Sequence, residues 1–242
     1  MQPYRSPVLL SRLAVAGLAL VGICRVLFLV AGFGLVLDPN RSLDLADGDQ
    51  VSIWLMFSGL VALVLLPAFI YSVVTFLMWL FRVFTNLPSI GSDQMDFSPG
   101  WAVGWWFIPF ANLVKPFQAV RTAWAESDPD VEVGGGFLSS VQSSAPTFVG
   151  VWWAFWIIGN IVSNLTSRLE VAAKPGEEAI LGYASIFESL IWIVATILAI
   201  KVVLAITDRQ EARFARLGPA AIDIPPPPPE FSARNEQQYG SF

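Results

Sequence analysis

The chain has 242 residues, of which 55% are hydrophobic and 14% charged, with a formal charge of -5; an average soluble domain is roughly a quarter charged. Its apolar residues fall into a few long runs instead of being scattered, a pattern that excludes an ordinary soluble domain and matches a bilayer. Acidic residues sit mostly in loops and the tail, so no basic face for nucleic acid is present.

One cysteine, Cys24, rules out an intrachain disulfide, and there is no histidine at all. Imidazole-ligated zinc, Ser-His or Cys-His nucleophile pairs and a histidine pH switch are therefore excluded. Carboxylate, lysine or hydroxyl chemistry remains. No ATP-binding loop, metal cluster or nucleophile-base pair is legible, so no catalytic, cofactor-binding or metal-ligating residue is expected.

In chain order, the first apolar run covers residues 8–37, longer than a hydrocarbon core and longer than the apolar stretch of a signal peptide. It is read as a retained helix. A polar loop follows, with four acids and one Arg between Asp38 and Asp49. The second span covers about 51–81 and ends at Arg82. Residues 87–98 are rich in turn formers, and Ser98-Pro99 reads as a helix start, with Ser98 as cap and Pro99 in the first turn. The helix expected over about 98–124 is unusual. It carries Pro109, Asn112, Lys115 and Pro116 where a plain span would be continuously apolar, and each proline removes a backbone donor. Two further spans cover about 148–167 and 179–206. Residues 1–206 thus read as a polytopic membrane domain, and 207–242 as a cytoplasmic juxtamembrane helix followed by a Pro-rich disordered tail.

Basic residues beside the spans set the orientation. If the Pro-rich segment crosses the bilayer there are five spans, and Arg209, Arg213 and Arg216 fall outside. If it returns to its own side there are four, and Arg5, Arg12, Arg82, Lys115, Arg121, Arg209, Arg213, Arg216 and Arg234 collect inside, with Arg41, Arg168 and Lys174 outside. The second arrangement fits better. The expected fold is an all-α membrane protein with four transmembrane helices, one Pro-kinked re-entrant or interfacial helix, and both termini cytoplasmic.

Ser98-Pro99-Gly100-Trp101-Ala102-Val103, Trp106-Phe107-Ile108-Pro109, Asn112, Lys115-Pro116, Ala119 and Trp124, preceded by Trp79, Arg82 and Asn86-Leu87-Pro88, resemble an uncharacterised bacterial membrane family catalogued as domain of unknown function 4328. The likeness covers roughly residues 50–210 in layout, with sharp motifs between Trp79 and Trp124. It implies a bacterial, actinobacterial plasma-membrane protein and carries no activity with it.

Two groups of candidate residues stand out. Arg25 and Glu188 lie deepest in apolar surroundings, each within roughly 14 to 18 Å of the outer end of its helix, where an unpaired charge is costly. They read either as a proton or ion relay or as a structural pair fixing helix packing. The second group is the kinked-helix motif of Trp101, Trp106, Pro109, Asn112, Pro116 and Trp124. Asn112 either lines a small polar cavity, as in broken transporter helices, or satisfies the bent backbone. Asn160 and Asn164 read as interhelical hydrogen-bond partners, Gly100 and Gly104 as a close-approach pair, and the bases at 209, 213 and 216 as an anchor on the anionic membrane surface. Pro225 to Pro229 favours polyproline II geometry. The leading functional expectation is a non-enzymatic scaffold or interaction protein, its partners being the lipid bilayer and proteins met through the cytoplasmic face and Pro-rich tail. The alternative is transport of a small solute, ions or protons through a polar site near Arg25, Glu188 and Asn112.

Overall fold

A computed structural model describes residues 3–38, 42–44, 50–92, 97–130, 145–174 and 176–217. The Pro-rich tail, with Pro225 to Pro229 and Arg234, and Arg41 lie outside the described residues.

Four helices are long and apolar enough to cross a bilayer. Helix α1 covers Val8–Leu37 and α2 covers Ile53–Asn86, continuing through Pro67. A short antiparallel ribbon joins them, β1 (Ser42–Asp44) pairing with β2 (Gln50–Ser52) in the register Ser42 to Ser52. This ribbon sits where the sequence reads as a polar loop. After α2, a single 3-10 turn, Leu87–Ile90, ends on Gly91 at φ 74°. That left-handed geometry favours glycine.

Two short helices come next, α3 (Pro99–Gly104) and α4 (Lys115–Glu126). Helix α5 covers Thr147–Ala172 and α6 covers Glu178–Leu217. At about 1.5 Å rise per residue, α6 is about 60 Å long, twice a hydrocarbon core of about 30 Å. It runs without a break through residues 207–217.

The long helices pack in the order α2, α1, α6, α5, with α1 and α6 at the centre. Glycines let α1 lie close on both sides. A Cβ on Gly17 would stand 2.8 Å from the Ser72 backbone on α2, and one on Gly32 would stand 2.9 Å from the Gly182 carbonyl on α6. Gly182 meets Gly32 in the same way, at 2.8 Å. Close backbone approach between small residues is how membrane helices gain contact where lipid tails are as apolar as leucine.

Ser98 caps α3 as its sequence predicts, its hydroxyl accepting from the Trp101 amide at 3.3 Å. The segment that follows is broken, not merely bent. The chain leaves the helix at Ile108, and Phe110 takes φ 63° and ψ -41° while the Ala111 amide donates to the Pro109 carbonyl at 2.8 Å. Pro109 has no N–H to continue a helix, and the geometry is that of the uncommon γ-turn with positive φ. The segment therefore folds back as a hairpin. Its two ends meet: the Ser92 hydroxyl donates to Glu126 at 2.6 Å, and Arg213 donates to the carbonyls of both Ile90 and Asp128 at 2.8 and 2.7 Å. Entry and exit thus share one face, which gives four crossings and not five.

Candidate functional site

At that face the end of α2, the start of the chain and the far end of α6 are hydrogen-bonded together. Trp79, fully buried, donates to Thr207 at 3.0 Å. The Asn86 amide group donates to the Arg5 carbonyl at 2.9 Å and to Gln210 at 3.3 Å, while its oxygen accepts from the Arg5 amide at 3.2 Å. Gln210 donates to the Val83 carbonyl at 3.0 Å. Tyr4 stacks on Phe214 with ring centroids 4.0 Å apart and donates to Glu211 at 2.9 Å. Burial and the neighbouring Glu211 carboxylate push the Tyr4 phenol well above its ordinary pKa, because both penalise the phenolate.

Arg213 is 3% exposed, and Arg209 pairs with Asp128 while covering the Trp124 ring at 4.3 Å. Arg216 pairs with Asp130. The three bases read as a lipid anchor are thus engaged with protein. The signal for this is present in Val203, Ile206, Thr207, Gln210 and Arg213, whose spacing carries one buried helix face past the end of the apolar run.

Deeper in the bilayer, Arg25 on α1 and Glu188 on α6 pair at 2.9 Å, with side chains 17% and 12% exposed. Ser163 on α5 donates to the same Glu188 oxygen at 2.7 Å, and Trp192 donates to Ser163 at 2.9 Å. The Arg25 guanidinium lies 5.3 Å from the Trp192 ring centroid. Three helices therefore meet in one polar cluster.

Below this cluster lies a cavity of about 340 Å³, bounded by α1, α2, α5, α6 and the hairpin turn. Arg25, Phe76, Trp106, Phe107, Trp156 and Trp192 are in its wall. Trp106 fixes the hairpin in place, its ring 5.4 Å from Phe76 on α2 and 5.9 Å from both Trp153 and Trp156 on α5. Phe76 lies about 9 Å along α2 from Arg82, where the apolar run ends, by helical rise, so the hairpin reaches past the end of that run. Trp153 holds its far limb by donating to the Leu113 carbonyl at 3.0 Å.

The structure joins Arg25 to Glu188 but not to Asn112, which is half-buried and absent from the cavity wall. Of the other motif residues, Trp101 is exposed, Pro116 is buried in the first turn of α4, and Trp124 meets Phe148 edge-on at 5.6 Å. Asn160 donates to the Trp156 carbonyl of its own helix and both it and Asn164 are exposed, so neither joins two helices. A Cβ added at Gly100 would meet nothing within 4 Å and one at Gly104 would meet only Trp101, so this pair brings no helices together; Ala102, between them, is the buried residue.

These features define an all-α membrane protein of four spans with a broken hairpin inserted from the face that carries the chain's start. The chain belongs to the family described as Domain of unknown function (DUF4328), whose family model matches residues 44–208. No curated protein and no solved structure matches it. Glu188, Trp79, Asn86 and the hairpin lie within the matched region, and α1 with Arg25 lies before it.

Proposed function

We propose that this protein is a non-enzymatic scaffold or interaction protein of the bacterial plasma membrane, with both termini cytoplasmic, that meets protein partners through the face bearing the hairpin ends. The observation that carries this reading is the joined set of Asn86, Gln210 and Arg213, which holds the chain start, the hairpin ends and the α6 extension in one arrangement. A surface held rigid before binding loses less entropy when a partner docks. Arg5, Arg12, Arg82, Lys115, Arg121, Arg209, Arg213 and Arg216 belong to the segments gathered at that face, and Arg168 and Lys174 to the opposite one, which supports a cytoplasmic assignment. A non-enzymatic role is supported by the Glu188 carboxylate being bound to Arg25 and Ser163, the arrangement of a structural ion pair between helices.

The test is a photo-crosslinker at exposed Arg121, with capture from intact cells. A specific partner is expected, and its capture falls when Asn86→Leu loosens the face. Recovery of no partner above a crosslinker at lipid-facing Leu63 defeats the reading.

Transport is the second reading, and the part-buried Arg25–Glu188 pair, whose arginine lines the cavity, is the observation that favours it. It requires solute or proton flux in liposomes that falls on Glu188→Gln. Absence of flux with the native chain removes it.

A further inference from the structure

Helix α4 packs on the start of α5 at two points, where Phe117 stacks on Trp153 with ring centroids 6.0 Å apart and Trp124 meets Phe148 at 5.6 Å. Arg121 lies between these contacts, level with the first turns of α5. There the two helices leave an open groove of about 380 Å³, walled by Phe117, Pro146, Gly150, Val151 and Ala154, with Arg121 beside them. Gly150 keeps it open, since a Cβ added there would meet nothing within 4 Å. Arg121 is exposed, its guanidinium carbon 5.7 Å from the Phe117 ring centroid, and among the described residues no carboxylate pairs with it.

Beyond the groove the same face of α5 continues. Val151, Ile158, Ile161 and Leu165 follow at helical spacing and are exposed, from 38% to 61%, forming one apolar stripe. From Thr147 to Ile158 the helix rises about 16 Å, close to half of a hydrocarbon core of about 30 Å.

A cation at the mouth with an apolar stripe leading away from it selects an occupant that joins an anion to a long apolar chain. Water or a free anion leaves the stripe bare. A plain alkyl chain, or an apolar helix of another protein, leaves Arg121 without a counter-charge. A phosphodiester meets the guanidinium with charge-assisted hydrogen bonds, and basic pockets between helices at the membrane surface are where anionic head groups bind. A zwitterionic head brings its own cation to the same place, where no carboxylate among the described residues pairs with Arg121 to receive it.

We propose that this groove binds one anionic phospholipid, its phosphate on Arg121 and one acyl chain along Gly150, Val151, Ala154 and Ile158. The proposal stands apart from the scaffold reading, and the two fail separately.

The test uses the full-length protein in phosphatidylcholine nanodiscs with phosphatidylglycerol carrying a diazirine on one acyl chain, the sites of labelling being mapped by mass spectrometry. Labelling of residues 147–161 is expected to exceed that of the lipid-facing residues 60–66 on α2, and a diazirine phosphatidylcholine is expected to show no such preference. Unlabelled phosphatidylglycerol competes; inorganic phosphate does not. Arg121→Gln, at an exposed position, lowers the labelling of residues 147–161 about tenfold through loss of one charge-assisted contact. Gly150→Leu fills the groove, leaves the cation in place and removes the preference. Equal labelling by the two lipids, or labelling unchanged in either variant, overturns the proposal. Competition by inorganic phosphate also overturns it, because the site is then one for a free anion. If Gly150→Leu fails to fold, Arg121→Gln decides.

Discussion

Arg25 and Glu188 show how far depth in an apolar run can be used to predict contact. Both stand out in the sequence because neither is tolerated alone at that position, and the structure places them 2.9 Å apart. Ser163 and Trp192, which complete the cluster, are not legible, because a lone hydroxyl or indole in an apolar run carries no comparable penalty. Breaking the pair from one side leaves a buried uncompensated charge. Arg25→Leu is expected to cost about 3 kcal/mol, while Arg25→Leu with Glu188→Leu recovers most of the loss, as measured by thermal unfolding in detergent. Equal destabilisation by the single and double variants would show that the charge pair is not what holds these helices. Phe110 makes a second case. Its side chain is 85% exposed and its φ is 63°, so Phe110→Gly removes a strain of about 1 kcal/mol while sacrificing little packing. A rise in melting temperature is expected.

Tyr4 gives a pH dependence with a definite sign. Its folded pKa lies above the unfolded value of about 10, so its contribution is complete below about pH 10 and is lost as pH rises beyond it. Tyr4→Phe, which has no proton to lose, is expected to flatten the alkaline fall in stability. Unfolding measured between about pH 9 and 11 in both proteins checks this.

Helices are legible to different degrees, for physical reasons. Long apolar runs bound α1 well, and its sequence limits and structural limits are the same residues. Helices α2, α5 and α6 run past their apolar stretches, and at the ends of α2 and α6 polar residues find protein partners, as Asn86 and Gln210 do. Between Ser98 and Trp124 two prolines announce a disturbance but not its form. Whether a proline bends or breaks a helix depends on whether the backbone carbonyls around the break find other donors, and here the Ala111 amide donates to Pro109 and the Trp153 indole to Leu113. The glycines of α1 offer a test of packing. Gly32→Leu should destabilise by about 1–3 kcal/mol, since its Cβ alone would stand 2.9 Å from Gly182. Gly59→Ala, inside α2 and with an added Cβ that meets nothing within 4 Å, should not lower the melting temperature and should raise it slightly, since alanine is the better helix former.

Four crossings place the chain start, the hairpin ends and Leu217 on one side of the bilayer. Single cysteines at Ser89 and Asp130, in a Cys24→Ala background, are expected to react in intact cells only with a membrane-permeant maleimide. A cysteine at Lys174 is expected to react with an impermeant one. Labelling at positions 89 and 130 from opposite sides would restore the five-span arrangement. The crossing count is legible in the distribution of Arg and Lys; the shared face of the hairpin ends is not, because it depends on Arg213 reaching two carbonyls that no sequence pattern marks.

The Arg25–Glu188 pair also sets a problem during synthesis. Its members lie 163 residues apart, and at about 5–20 residues per second the arginine enters the membrane on the order of ten seconds before its carboxylate exists. A central arginine on a lone helix costs at least about 2.5 kcal/mol on insertion scales, so α1 inserts as a metastable segment whose final depth is fixed only when α6 arrives. Chains truncated before α6 should therefore hold α1 poorly, and a glycosylation or protease-protection assay on Arg25→Leu truncations should show that holding restored.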